Sequence, residues 1–201
     1  MDDLRRLESE SETSVCLTGL ASAALESLSE QPYVVLRVRK HPPPLLFGKD
    51  LDILCADDEA AAESIMVAFK SPVRNMGCAV ISDSRETGHR VVDVIRGQQL
   101  VLRFDLTSRL PYRSRFPLVD QAEQLLLDRR HIIPFPGLEP LVVACPREPY
   151  DSVLRYLEYS FSHRNGVEVK VRHLKTVRDN LRANLGFSDF FTALNCLVAR
   201  P

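Results

Sequence analysis

The chain lacks a surplus of charge of either sign. Its 201 residues carry 26 Lys and Arg against 27 Asp and Glu, a formal net charge of −1 with His neutral. A protein that coats nucleic acid or an anionic membrane through charge alone needs a marked basic excess. Long nucleic acid is therefore not expected as a partner, although a local basic patch remains compatible. No apolar stretch reaches membrane-spanning length, and Met1 to Thr13 is acidic and polar, without the apolar run of a secretory signal. The expectation is a cytoplasmic protein with no membrane partner. There is no CxxC pair. The five cysteines, Cys16, Cys55, Cys78, Cys145 and Cys196, are widely spaced and odd in number, as suits buried thiols in a reducing compartment. None of His41, His89, His131, His163 and His173 has zinc-like spacing with another ligand, so structural or surface roles are expected for all five. There is no GxSxG elbow, no P-loop and no GxGxxG, which removes the motif basis for hydrolase, P-loop kinase and dinucleotide-dehydrogenase readings. Internal repeats and low-complexity tracts are absent as well.

What is present is enough apolar sequence for a real core: 45% hydrophobic and 26% charged residues, near the average of a globular protein. Val15, Leu17, Leu20, Ala24, Leu25 and Leu28 recur at helical spacing after a Thr13 or Ser14 cap, and Pro32 stops that helix. Tyr33 to Val38 is β-branched and aromatic and reads as a strand. Arg39 to Lys49 holds Pro42, Pro43 and Pro44 and must be a loop. Asp50 to Cys55 is a second strand, and Asp57, Asp58 and Glu59 open a helix through Phe69. Cys78 to Ser82 is a further strand. His89 to Ile95 and Gln99 to Leu106 form a hairpin around Arg96-Gly97-Gln98.

After Leu106 the chain is punctuated by prolines. A helix near Leu118 to Arg129 and a strand-like Leu141 to Ala144 precede three helical patterns, Tyr150 to Ser162, Val167 to Leu185 and Phe187 to Ala199. In the middle one, Val167, Val171, Leu174, Val177 and Leu181 form one apolar stripe. Its basic residues Lys170, Arg172, Lys175, Arg178 and Arg182 read as a solvated face, with a lean over a phosphate-binding site as the alternative. The expected organisation is a flexible 1–13, a core at 14–114 and a mainly helical part at 115–201 packed on it.

The chemistry concentrates in Lys49-Asp50-Leu51-Asp52-Ile53-Leu54. Side chains alternate along a strand, so Asp50 and Asp52 point one way and Leu51, Ile53 and Cys55 the other. Two adjacent carboxylates repel unless a cation sits between them, and hard oxygen donors suit Mg²⁺. Asp105 lies near the end of a second apolar strand, Val101 to Leu106. If the two strands are neighbours, three carboxylates converge, with room for two metal ions and with Asp105 placed as general base. Asp93, within Val91-Val92-Asp93-Val94, competes for the third position. The bland alternatives are a solvated edge strand for Asp50 and Asp52 and a turn cap before Thr107-Ser108 for Asp105.

This pattern resembles the nucleotidyltransferase superfamily, and most closely its small bacterial nucleotidyltransferase-like proteins with a helical C-terminal part. The resemblance rests on Lys49 to Leu54, the helix that follows, and the later Phe104-Asp105-Leu106, and it covers roughly Tyr33 to Leu106. It implies an α/β (α+β) fold with a mixed sheet of about five strands flanked by helices. It also implies Mg²⁺-dependent transfer of a nucleoside monophosphate from ATP or another nucleoside triphosphate to a hydroxyl of a small acceptor. Carried over, Asp50 and Asp52 bind metal and Asp105 binds metal or acts as base. The family's Gly-Ser or Gly-Gly pair upstream of the acids is replaced by Leu36-Arg37-Val38-Arg39-Lys40. Arg37, Arg39 and Lys49 are the residues expected to grip phosphate by charge instead. The missing pair also motivates the other reading, a catalytically inactive relative that binds a nucleotide or a partner.

Overall fold

A computed structural model describes residues 17–38, 48–70, 72–110, 119, 121–128, 130–134, 142–161, 167–183 and 186–198. The expected flexible segment 1–13, the Thr13 or Ser14 cap, the triple-proline loop, Arg39 and Lys40, and the Ser114 to Pro117 boundary lie outside the described residues.

The chain is a mixed α/β structure. Helix α1 (17–27) leads to β1 (Tyr33–Val35), β2 (Lys49–Cys55), α2 (Asp58–Ala68), a short α3 (Pro72–Asn75), β3 (Ala79–Glu86), β4 (His89–Arg96) and β5 (Gln99–Thr107). The strands form one five-stranded sheet in the order β1-β2-β5-β4-β3. Strands β2 and β5 run parallel, and the other neighbours are antiparallel. Helix α2 starts where expected because Asp57 caps it: its Oδ1 accepts from the backbone N–H groups of Glu59 and Ala60, both at 3.0 Å. Such a cap contributes about 1 kcal/mol. The β4–β5 hairpin closes on Gly97 at φ 61°, a left-handed conformation that costs glycine little.

Then come α4 (Ala122–Asp128), β6 (Arg130–Pro134), β7 (Val142–Pro146), α5 (Tyr150–Phe161), α6 (Val167–Ala183) and α7 (Phe187–Leu197). Strands β6 and β7 form a separate antiparallel two-stranded sheet. The second half is thus mainly helical with a hairpin in it; β6 was not foreseen in the sequence.

Two apolar clusters sandwich the sheet. On one side, Leu51, Ile53, Val92, Val94, Phe104 and Leu106 pack with Leu25 of α1, Ile65 of α2, and Leu28 and Phe69 just past the ends of those helices. On the other side, Val34, Leu36 and Leu54 pack with α4, α5 and α7 through Leu126, Leu154, Leu157 and Phe190. That second cover stops at Leu54. Beyond it, the same face of β2, β5 and β4 carries Asp50, Asp52, Arg103, Asp105, Asp93 and His89 around the buried Val91.

One expected feature of α6 is corrected. Val177 is buried and Leu181 packs at the edge of the second cluster, but Val171 and Leu174 are exposed. The buried side runs through His173 and Val177 instead, with the half-buried Asn180 beside them. Two polar contacts set that rotation. His173 Nε2 lies 3.7 Å from Glu158 on α5, and Asn180 Nδ2 donates to Glu148 Oε1 at 2.6 Å. The side chain of Val167 lies outside the described residues.

Candidate functional site

The parallel register of β2 and β5 builds the site. Asp50 pairs with Arg103, Leu51 with Phe104 and Asp52 with Asp105. Aligned residues on neighbouring strands share a face, and strands lie about 4.8 Å apart. Asp50, Asp52 and Asp105 therefore stand on one face of the sheet, with Asp52 and Asp105 side by side. Asp50 is exposed, while the Asp52 and Asp105 side chains are 28% and 31% exposed.

Crowding shows in the electrostatics of Asp52. Its pKa is pushed up from 3.8 to about 6, first by burial; Arg37 opposes the rise, and the nearby carboxylates of Asp50 and Asp105 add to it. The carboxylate stays strained even with a guanidinium pressed against it.

That guanidinium arrives by an unusual backbone route. The β1–β2 ladder continues one step past Val35, where the Leu36 N–H donates to the Asp52 carbonyl at 2.8 Å. Arg37 then turns at φ 60°, the one described non-glycine residue with positive φ. A left-handed backbone costs an L-residue roughly 1–2 kcal/mol. Its side chain lands on the acidic face, where Nη2 pairs with Asp52 Oδ1 and Nη1 pairs with Glu158 Oε1 at 2.6 Å. The following residue is pinned too. Arg155 Nη2 donates to the Val38 carbonyl at 2.9 Å, and Arg155 is itself held by Asp151 at 2.7 Å. Burial raises the pKa of Asp151, and Arg155 opposes that rise.

Asp105 has a partner of its own, His89 Nε2 at 2.7 Å. The sequence reading gave His89 only a structural or surface role. The hairpin register hid it: straight counting back from Gly97 would pair His89 with Leu106, but a register shift between Val94 and Ile95 pairs His89 with Thr107 and Val91 with Asp105, which sets His89 diagonally beside Asp105 on the same face. Asp93, the rival third carboxylate, is engaged elsewhere. It is the Cα partner of Arg103, whose Nε and Nη2 donate to its two oxygens, each at 2.7 Å. This fork holds Arg103 firmly in its charged form. Glu158, on α5, is the other site residue that sequence patterns did not reveal.

Lys49 is not brought to the acids. Strand alternation sets it with Leu51, exposed and on the opposite face from Asp50 and Asp52. Arg39 lies outside the described residues. Of the expected phosphate-gripping residues, the described structure brings Arg37 to the acids.

Among the described residues, no three His, Cys, Asp or Glu side chains come together in an arrangement ready to hold a metal ion. Asp52 is turned to Arg37 and Asp105 to His89. The donor chemistry nevertheless fits a hard divalent cation: carboxylate oxygens on one face, with a crowding of like charge that a cation would relieve. Among the described residues, no helix is long and apolar enough to cross a membrane.

No protein-family model matches the chain, and no curated protein does.

Proposed function

We propose that the chain is a nucleotidyltransferase-like enzyme that moves a nucleoside monophosphate from a nucleoside triphosphate to a hydroxyl of a small acceptor, with Mg²⁺ bound by Asp50, Asp52 and Asp105. The observation that carries this reading is the in-register pair Asp52 and Asp105 on neighbouring parallel strands, with Asp50 one step along the same face. The intervening helix α2 and the third acid on a later strand accord with the sequence resemblance. When bound, Mg²⁺ would neutralise triphosphate charge and lower the pKa of the attacking hydroxyl.

The chain's own residues supply the rest. Asp105 would accept the proton of the acceptor hydroxyl, and His89, at 2.7 Å from its Oδ1, would orient its carboxylate. Arg37 supplies a planar, permanently charged fork for phosphate oxygens. It stands where the resemblance expects a glycine-containing pair, and its left-handed φ is the conformation a glycine would adopt there without strain. Asp93 and Arg103 neutralise each other and stiffen the strand pair that carries Asp105.

A second reading has an observation of its own. Asp52 and Asp105 already have partners in Arg37 and His89, as suits a relative that keeps the fold and binds a nucleotide or a protein without turnover. Calorimetric titration of ATP, GTP, CTP and UTP with Mg²⁺ tests both, run beside an Asp50→Ala, Asp52→Ala double variant. The transferase site predicts binding of at least one nucleotide that needs both Mg²⁺ and the acids. Binding that ignores metal and acids favours the non-catalytic reading, and no binding at all removes the nucleotide from the account.

A further inference from the structure

We infer that Glu158 is a positioning residue for Arg37: when a divalent cation takes Asp52, Arg37 closes into a two-point fork on Glu158 and remains poised over the acidic face to meet phosphate. The inference rests on the metal-dependent reading above. A cation and the Arg37 guanidinium want the same Asp52 oxygen, so loading the metal requires the guanidinium to leave it.

Three features make that exchange local. The backbone on either side of Arg37 is fixed, by the Leu36 N–H on the Asp52 carbonyl at 2.8 Å and by Arg155 on the Val38 carbonyl at 2.9 Å. Only the side chain has to move. One contact is already made, Arg37 Nη1 on Glu158 Oε1 at 2.6 Å. The other oxygen is spare: Glu158 Oε2 is buried and accepts no hydrogen bond, with His173 Nε2 as its ion-pair neighbour at 3.7 Å. A buried carboxylate oxygen without a donor is costly. Moving Nη2 from Asp52 to Oε2 satisfies it and completes the parallel fork that Arg and carboxylate form best. Glu158 lies on α5 in the C-terminal part, so this contact is how the helical half would tune a site built on the sheet.

The test is a titration of Mn²⁺ alone, followed by calorimetry or electron paramagnetic resonance, on the wild type, Arg37→Gln, Glu158→Gln and the double variant. Thermal melts check that each is folded. Arg37→Gln removes the competitor and should tighten Mn²⁺ about tenfold, the scale of one lost charge contact. Glu158→Gln removes the retreat and should weaken Mn²⁺ by roughly three- to tenfold, but by less than about twofold once Arg37 is already Gln, since coupled residues act through each other. Glu158→Asp, which keeps the charge but shortens the reach, should fall between, and it carries the same cycle should Glu158→Gln fail to fold. An equal Glu158 effect with and without Arg37 overturns the positioning role and leaves the metal site standing. Absence of Mn²⁺ binding in both the wild type and Arg37→Gln overturns the metal reading and this inference together.

Discussion

Leu51 and Asp52 are neighbours in sequence and face opposite sides of one strand, and the two sides of the sheet differ as those residues do. On the first side, Leu51, Ile53, Val92, Val94, Phe104 and Leu106 are buried beneath α1 and α2. Each such side chain contributes roughly 1.5–3 kcal/mol by leaving water. On the second side, among the described residues, the carboxylates of Asp50, Asp52, Asp93, Asp105 and the facing Glu158 outnumber the guanidiniums of Arg37 and Arg103. There the fold loses stability: burial and like charge raise the pKa of Asp52 to about 6. A sheet that needed only to fold would extend the apolar cover already present at Val34, Leu36 and Leu54. That the cover stops at Asp52 is the physical reason for looking for function there.

The comparison is sharpest when one residue is changed on each side. Phe104 is fully buried and lies against Phe69 with ring centroids 5.6 Å apart. Phe104→Ala should destabilise the chain by about 3–5 kcal/mol in denaturant unfolding, through lost burial and a cavity. Asp52, which pairs with Asp105 one step along the ladder and on the other face, should respond with the opposite sign. The folded state binds the Asp52 proton more tightly than the unfolded state, whose pKa is near 3.8. The penalty is therefore absent below pH 3.8, grows as pH rises, and is complete above about pH 6. Asp52→Asn should stabilise the chain at pH 8 by roughly 2–3 kcal/mol, at about 1.4 kcal/mol per unit, and by nothing near pH 3. Melts across that range check it. A loss of stability at pH 8 would mean that the Arg37 contact outweighs the crowding.

Much of this contrast is legible in the sequence. The strand alternation of Lys49 to Cys55, the hairpin about Gly97 and the apolar end of β5 follow from local patterns, and so does the shared side of Asp50 and Asp52. What could not be read depends on distant or unusual geometry. Arg37 reaches the acids through a left-handed turn that carries no glycine to announce it. Glu158 meets Arg37 only because α5 packs over the end of β1. His89 reaches the face of Asp105 only through a register shift between Val94 and Ile95; straight counting from Gly97 would have set it on the opposite face. Helix α6 misled for a related reason: its polar anchors, the buried His173 and the half-buried Asn180, override the apolar stripe.

Within the polar side, Asp93 and Asp105 separate two kinds of carboxylate. Asp93 is engaged by both nitrogens of the Arg103 fork, whereas the described contact of Asp105 is with His89 alone. Asp93→Asn should cost about 1 kcal/mol by weakening that fork and leave Mg²⁺-dependent nucleotide affinity within about twofold, whereas Asp105→Asn should abolish it, the loss expected of a charged ligand. The reverse outcome would make Asp93 the third member of the site.

The smallest effect concerns α6, where the same contrast of sides can be drawn around a helix. Leu174 is exposed and Val177 is buried, one turn apart. Leu174→Gln should change stability by less than about 0.5 kcal/mol, as surface substitutions do. Val177→Ser should cost about 2 kcal/mol or more, because it removes buried apolar surface and adds a hydroxyl that needs a partner. Urea unfolding of the two variants decides between the helix rotation seen here and the one the apolar stripe implies. If Leu174→Gln is the costlier change, the stripe is the buried side. His173 would then turn away from Glu158, and the spare oxygen that Arg37 is inferred to use would lose its neighbour.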